Sequence, residues 1–313
     1  MSFNPTFPQV VTSAADPERA HRLRLRLAHW AAGLSMLAVF IYGFDYYFAS
    51  AVQRGLSSKH ALLKPSGTIG LRLGFLGFFL LLLMYLYPIR LRWAWLGRQG
   101  SSRHWLDFHA LLGVIGPLVV TFHSSFKFGG LAGVAYWIMI FVALSGLAGR
   151  YIYGQIPRSL TFAEMTLADG QEQVAKLAER IKSLGILSVR DVDGLLHLPD
   201  LQQAERMSIP AALLEMIRFD IAFPFRMWRL RQKMLWSHRK RWSLVGFRRG
   251  HNVPLESAIS MVREQALIRK KLLFLSKSQR MLKLWHIVHR PFSYSFALLA
   301  SIHVVLMFML GFY

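Results

Sequence analysis

Five stretches of about twenty mostly apolar residues, each long enough to cross the hydrocarbon of a bilayer, constrain this chain more than any other feature. They cover residues 30–50, 69–87, 105–126, 131–150 and 291–313. In lipid, every backbone polar group must be satisfied within the protein, so such stretches fold as helices. The expected fold is all-α: an integral membrane helix bundle of five spans, with a large helical cytoplasmic insertion between the fourth and fifth. Composition agrees, since 54% of the 313 residues are hydrophobic and only 17% are charged, against roughly 25% charged in a soluble domain. The first stretch is long and aromatic with no small-residue cleavage site after it, which reads as an uncleaved anchor.

Charge sets the expected orientation. The chain carries 38 Lys+Arg against 16 Asp+Glu, a formal net charge of +22. On a soluble protein this balance suggests nucleic acid; on a chain of spans it marks the connections held inside. Arg19, Arg22, Arg24 and Arg26 precede the first span, and Arg90, Arg92, Arg98 and Arg103 join the second to the third. The first-to-second connection has Arg54, Lys59 and Lys64, and the third-to-fourth has Lys127 alone. The N-terminus and residues 151–288 are expected on the cytoplasmic face of an inner membrane, with the C-terminus outside. The chain then divides into residues 1–150 (basic segment and four spans), 151–288 (insertion) and 289–313 (last span).

The insertion holds 23 basic and 12 acidic residues and is too long for a structureless loop. Within 171–184, Val174, Leu177, Ile181 and Leu184 recur at helical spacing. Between 226 and 249, nine Lys/Arg and no acid interleave with Trp228, Trp236 and Trp242. That pattern suits a helix lying on membrane lipid, against anionic headgroups; a docking face for an acidic partner subunit is the alternative. No nucleic acid is expected of a chain otherwise in a bilayer. Residues 207–228 are apolar enough to suggest a sixth span, but Arg218 and Asp220 in their middle argue against one. Pro224 is expected to break a helix there.

The absence of cysteine excludes disulfides, thiolate-held zinc or iron–sulfur clusters, and covalent attachment of c-type haem. Histidine is plentiful, at 12 residues. His109 and His123 in the third span are fourteen residues apart, as are His289 and His303 in the fifth, and no other pair shares that separation. Random placement gives about half a pair at a chosen spacing. Fourteen residues rise about 21 Å and fall about 40° short of four whole turns, so both rings of a pair point the same way. Each helix thus offers an imidazole near each side of a hydrocarbon layer about 30 Å thick. By the charge count both spans run from inside to outside, which sets His109 level with His289 and His123 level with His303. Two stacked bis-imidazole sites result, as two non-covalent haems need. The bland alternative is a set of hydrogen-bonded core histidines.

Other residues gather around this frame. Gly113 and Gly116 fall within about 40° of the histidine direction, leaving room for a flat macrocycle or a close helix. Ser293, Phe296 and Ala300 share the histidine face of the fifth span, where Phe296 is a spacer between haems or plain packing. Pro117 is expected to kink the third span mildly. Arg24, Arg26, Arg103 and Arg290 are candidates for the propionates of the inner haem, or simply positive-inside residues. His29, His104 and His286 sit near inner span ends and suit propionates, a quinone or headgroups better than iron. Asp107 is placed to handle a quinone proton or to complement the helix dipole. His21, His60, His197, His238 and His251 lie outside the spans and receive no role.

With its two fourteen-residue histidine pairs and the run Trp285-His286-Ile287-Val288-His289-Arg290-Pro291, the chain resembles the dihaem transmembrane cytochromes b, broadly the ferric-reductase and cytochrome b group. Tyr151-Ile152-Tyr153 and Ile156-Pro157-Arg158 are similar to segments of bacterial ferric-reductase-like membrane proteins. The likeness covers the spans, about a third of the chain. It implies two b-type haems and electron transport across the membrane as a subunit of a larger redox complex. The large insertion departs from the group, and so does the lack of a flavin and nicotinamide domain, since the chain ends with its last span and has no G-x-G-x-x-G. Redox partner subunits or a quinol are therefore expected to supply electrons. Two other classes remain. A transporter needs ionisable groups near the bilayer centre, and only Asp45 and Asp107 are acidic between Arg26 and Arg150. A haem-free membrane anchor, recruiting a partner through the insertion, would tolerate loss of His109 or His303.

Overall fold

The apolar stretches fold as helices. A computed structural model of the chain describes residues 17–156, 167–183, 198–241 and 253–311, and no strand occurs among them. Five segments are long and apolar enough to cross a membrane: Glu18–Phe48, His60–Arg90, Ser102–His123, Gly130–Gln155 and Leu275–Met309. Each overlaps one of the five expected spans. The chain separates into two compact units, Met1–Ala148 with Val288–Tyr313, and Gly149–Ile287.

The first unit contains α1 (Pro17–Phe48), α2 (Ala51–Leu56), α3 (His60–Leu63), α4 (Thr68–Met84), α5 (Leu86–Arg90), α6 (Ala94–Gly97), α7 (Ser102–His123) and most of α8 (Gly130–Gln155). Its tightest contact is between α4 and α7. A Cβ on Gly77 would lie 2.8 Å from Val120 Cγ2, and one on Gly116 would lie 3.0 Å from Leu81 Cδ2. Small residues on both helices allow this approach where no hydrophobic effect drives helices together. One side of α1 joins the same core, burying Met36, Tyr46 and Tyr47 with Leu73, Val119 and Phe122. Its other side is bare: Leu27, Trp30, Leu34, Leu37, Ile41 and Phe44 recur every three or four residues and are all exposed, surface that lipid covers.

Arginines brace the connections. Arg54 donates to the carbonyls of Tyr47, Ala49 and Ser125. It thereby ties the α1–α2 connection to the turn after α7, where Ser125 and Phe126 adopt φ of 49° and 58°. Arg90 is buried and donates to Ser102 Oγ and to the carbonyls of Gly97 and Gly100.

The second unit contains α9 (Leu167–Ser183), α10 (Leu201–Arg206), α11 (Ile209–Arg241), α12 (Val253–Leu273) and the first turns of α13 (Leu275–Met309). The amphipathic helix expected over 171–184 is α9, with Val174 and Leu177 half-buried; Leu184 lies outside the described residues. The expected break at Pro224 is absent, and α11 runs through it. Phe219, Phe223 and Leu230, on both sides of the proline, pack against Ala258, Val262 and Ala266, which offsets the one backbone hydrogen bond the proline forgoes. Pro117 and Pro291 likewise sit inside the continuous helices α7 and α13. The first helix begins at Pro17 and the last at Leu275, well before the apolar runs, because Arg, Lys, Leu and Ala keep good helix propensity outside hydrocarbon.

Asp220 has a structural role in α11. Its Oδ1 accepts from Lys270 Nζ at 2.6 Å, and its Oδ2 accepts from Tyr151 OH at 2.8 Å and Gln155 Nε2 at 3.4 Å. The Lys270 side chain is 2% exposed and that of Asp220 34%. Burial lowers the Lys270 pKa, and the carboxylate opposes that lowering. Breaking such a pair is asymmetric. Asp220→Asn strands a buried ammonium and is expected to cost about 3–5 kcal/mol. Lys270→Met leaves a carboxylate still served by Tyr151 and Gln155 and is expected to cost clearly less. Thermal unfolding of the two variants in detergent checks this, and equal losses would contradict it. Farther along, Leu214, Ile217, Ile221, Phe225 and Trp228 form one exposed apolar stripe on α11. The side chains of Trp236 and His238, and residues Trp242, His197, His251, Pro157 and Arg158, lie outside the described residues.

Candidate cofactor site

Three of the four span histidines have one ring nitrogen tied down. His123 Nδ1 lies 2.8 Å from the Gly70 carbonyl, and His109 Nδ1 lies 3.0 Å from that of Met84. A carbonyl only accepts, so in both rings Nδ1 carries the proton and Nε2 keeps the lone pair. His289 reaches the same state through a hydroxyl. Its Nδ1 is 2.7 Å from Ser145 Oγ, whose own hydrogen goes to the Val142 carbonyl at 2.8 Å. The hydroxyl must then accept from Nδ1–H. Bonds of this kind fix the tautomer and orientation of an imidazole that offers Nε2 to a metal.

α4 confines His123 more closely still. A Cβ at Gly74 would lie 2.7 Å from both Cε1 and Nδ1 of the ring. Gly70 and Gly74 stand one turn apart, the first supplying the carbonyl and the second the empty space.

Beside this ring is a cavity of about 590 Å³, within the range of small-molecule and cofactor sites. His123 of α7 and His303 of α13 both line it, among apolar walls that include Phe78, Leu81, Met139 and Phe296. A largely apolar, half-open chamber flanked by two imidazoles, one with Nε2 already prepared, fits a flat, largely apolar, metal-bearing macrocycle. Among the described residues, no group of three or more His, Asp or Glu is arranged to hold a bare metal ion. A macrocycle brings its own equatorial donors and asks the protein only for axial ones.

The other candidates fall elsewhere. His109 and His289 do not line this cavity; they are oriented rings on α7 and α13, and Tyr87 lies 5.3 Å from the His109 ring. Gly113 and Gly116 face α4, with added Cβ atoms 3.7 Å from Met84 Sδ and 3.0 Å from Leu81 Cδ2, and neither borders the cavity. Their contacts are those of close helix approach. Phe296 packs with Leu81, Met84, Leu112 and Met139. Ser293 is held by Tyr85, whose hydroxyl donates to its carbonyl at 2.6 Å. Arg103 pairs with Glu18 at 3.1 Å, while Arg24, Arg26 and Arg290 are exposed. His104 stacks on His21 at 3.8 Å and meets Glu18 at 3.3 Å, and His21 meets Asp107 at 3.4 Å. His29 Nδ1 lies 2.7 Å from the Leu25 carbonyl, and His286 lies against Trp285.

Sequence reasoning missed Gly70, Gly74 and Ser145 as positioning residues. The spacing of Gly70, Gly74 and Gly77 on one face of α4 was a readable small-residue stripe. Ser145 gives no such signal, because nothing local relates it to His289. No family model matches the chain, and neither does any curated protein or solved structure.

Proposed function

We propose that this chain is a dihaem membrane cytochrome b, the haem-bearing subunit of a larger redox complex that carries electrons between the two faces of an inner membrane. The observation that carries this reading is the cavity flanked by His123 and His303, with the His123 ring locked by Gly70 and Gly74. The residues that would hold the two haems are His123 with His303 and His109 with His289. When bound, a haem iron takes up and gives back one electron. The protein's part is to offer Nε2, hold each ring and exclude water. Met84 and Ser145 hold the His109 and His289 rings as Gly70 holds His123.

In this reading the N-terminus and the insertion lie on the cytoplasmic side. Two hydrogen-bonded pairs, Glu18–His104 and His21–Asp107, joined by the stacked His21 and His104 rings, lie near that side, which supports a proton-exchanging ligand such as a quinol there. The exposed stripe from Leu214 to Trp228 supports contact with membrane lipid. The test is a reduced-minus-oxidised visible spectrum of the detergent-purified chain with a pyridine haemochrome count. Two b-type haems per chain are expected. Folded protein made with ample haem yet containing none would leave the haem-free anchor as the better reading.

A further inference from the structure

The cavity is not uniformly apolar. Lys64, in the connection from α3 to α4, and Lys127, just after α7, both line it. They lie at the end of the bundle where the Gly70 carbonyl meets His123. The other cations of these connections are committed: Arg54 is spent on three carbonyls, and Lys59 binds Asp45 at 2.6 Å. Among the described residues, no carboxylate pairs with Lys64 or Lys127. Glu18, Asp45 and Asp107 are engaged by Arg103, Lys59 and His21 respectively. Lys64 is half-buried and Lys127 exposed, so together they set two ammonium groups at one end of an otherwise apolar chamber, where a ligand's acidic groups would meet them. The ligand that matches has a broad apolar body with acidic groups at one edge.

We propose that Lys64 and Lys127 are the carboxylate anchors of the His123–His303 cavity, holding the propionates of the haem that fills it. This rests on the function proposed above and adds what fixes the rotation of the macrocycle in its chamber: acids toward the two lysines, apolar edge toward Phe296. A charge-assisted contact is short and strong, so each lysine should matter to retention. The positive charge should also favour the reduced form of that haem over the oxidised one.

The test uses the full chain in detergent, with Lys64→Gln and Lys127→Gln singly and together, and Lys59→Gln as a cation outside the cavity. Haem per chain, the rate of haem capture by excess apomyoglobin, and the midpoint potential of each haem are measured. The double variant should release one haem at least about tenfold faster than wild type, with a lowered midpoint for that haem alone. The second haem should be unchanged, which also reports that the protein is folded. Arginine at both positions should restore retention, and Lys59→Gln should behave as wild type. Wild-type release and potentials in the double variant would overturn the proposal. So would unchanged haem binding combined with weaker attachment to phosphatidylglycerol vesicles, because the lysines would then be reading lipid phosphate. A wild-type chain with no haem at all would overturn the proposed function itself, a result separate from either of these.

Discussion

If the chain holds two haems as proposed, removing His123 is expected to cost one of them, and removing His303 in addition is expected to cost nothing more. The reason is that both residues line one cavity, from α7 and from α13. If both serve one macrocycle, loss of the first ligand already empties the site or leaves it weakly held, so the two substitutions are strongly non-additive. Combining His123→Ala with His289→Ala is different, because in the proposed pairing those residues belong to different sites. That pair should yield a chain with no stably bound haem. Pyridine haemochrome counts on His123→Ala, His123→Ala/His303→Ala and His123→Ala/His289→Ala settle the pairing without needing to know the electron donor. If His123→Ala/His289→Ala kept one haem while His123→Ala/His303→Ala lost both, the ligands would be paired across levels and the fourteen-residue frame would be misread. Free imidazole should partly restore the signal in His123→Ala, since the Gly74 face leaves the ring's place open.

Features set by local pattern were legible in the sequence. Five apolar runs gave five helices able to cross a membrane, because the length of an apolar run answers directly to bilayer thickness. The helix ends were not legible, because helix propensity continues after the hydrocarbon ends; α13 starts at Leu275 and passes through Pro291. Nor was the survival of α11 across Pro224, which depends on Val262 and Ala266 far along the chain. Charge counting treated Arg54 and Arg90 as markers of a membrane side, but each is fixed to specific carbonyls that composition does not reveal. At the site, the common direction of His109 and His123 follows from helical period alone. What holds their rings does not, since the partners are backbone carbonyls of Met84 and Gly70, and any residue type has a carbonyl. Glycine at 74 was the one part of that shell with a side-chain signature, the absence of a side chain.

If His123 ligates a haem as proposed, Gly74→Ala should therefore disturb that haem while leaving the bundle folded. The added Cβ would stand 2.7 Å from His123 Cε1 and Nδ1, well inside normal contact. The ring has two ways to yield. It can turn, and then Nδ1 gives up the Gly70 carbonyl at 2.8 Å and Nε2 loses its aim. Alternatively α4 can draw back from α7, and then the close contact of Gly77 with Val120 opens as well. Overpacking of this kind typically costs about 1–3 kcal/mol, which corresponds to roughly fivefold to over a hundredfold weaker hold on the haem that His123 ligates. Valine, which is larger and stiff at χ1, should empty that site. Gly33 on α1 is the matched control: a Cβ there meets nothing within 4 Å. Alanine at 33 should be neutral or slightly stabilising through helix propensity. The readout is the low-temperature EPR signal of each oxidised haem, which reports the orientation of its axial imidazoles, together with haem per chain. One altered or missing signal in Gly74→Ala and two wild-type signals in Gly33→Ala are expected. Wild-type EPR from both variants would mean that His123 does not present Nε2 to an iron from the position Gly74 allows, and the site would have to be sought around the other histidines.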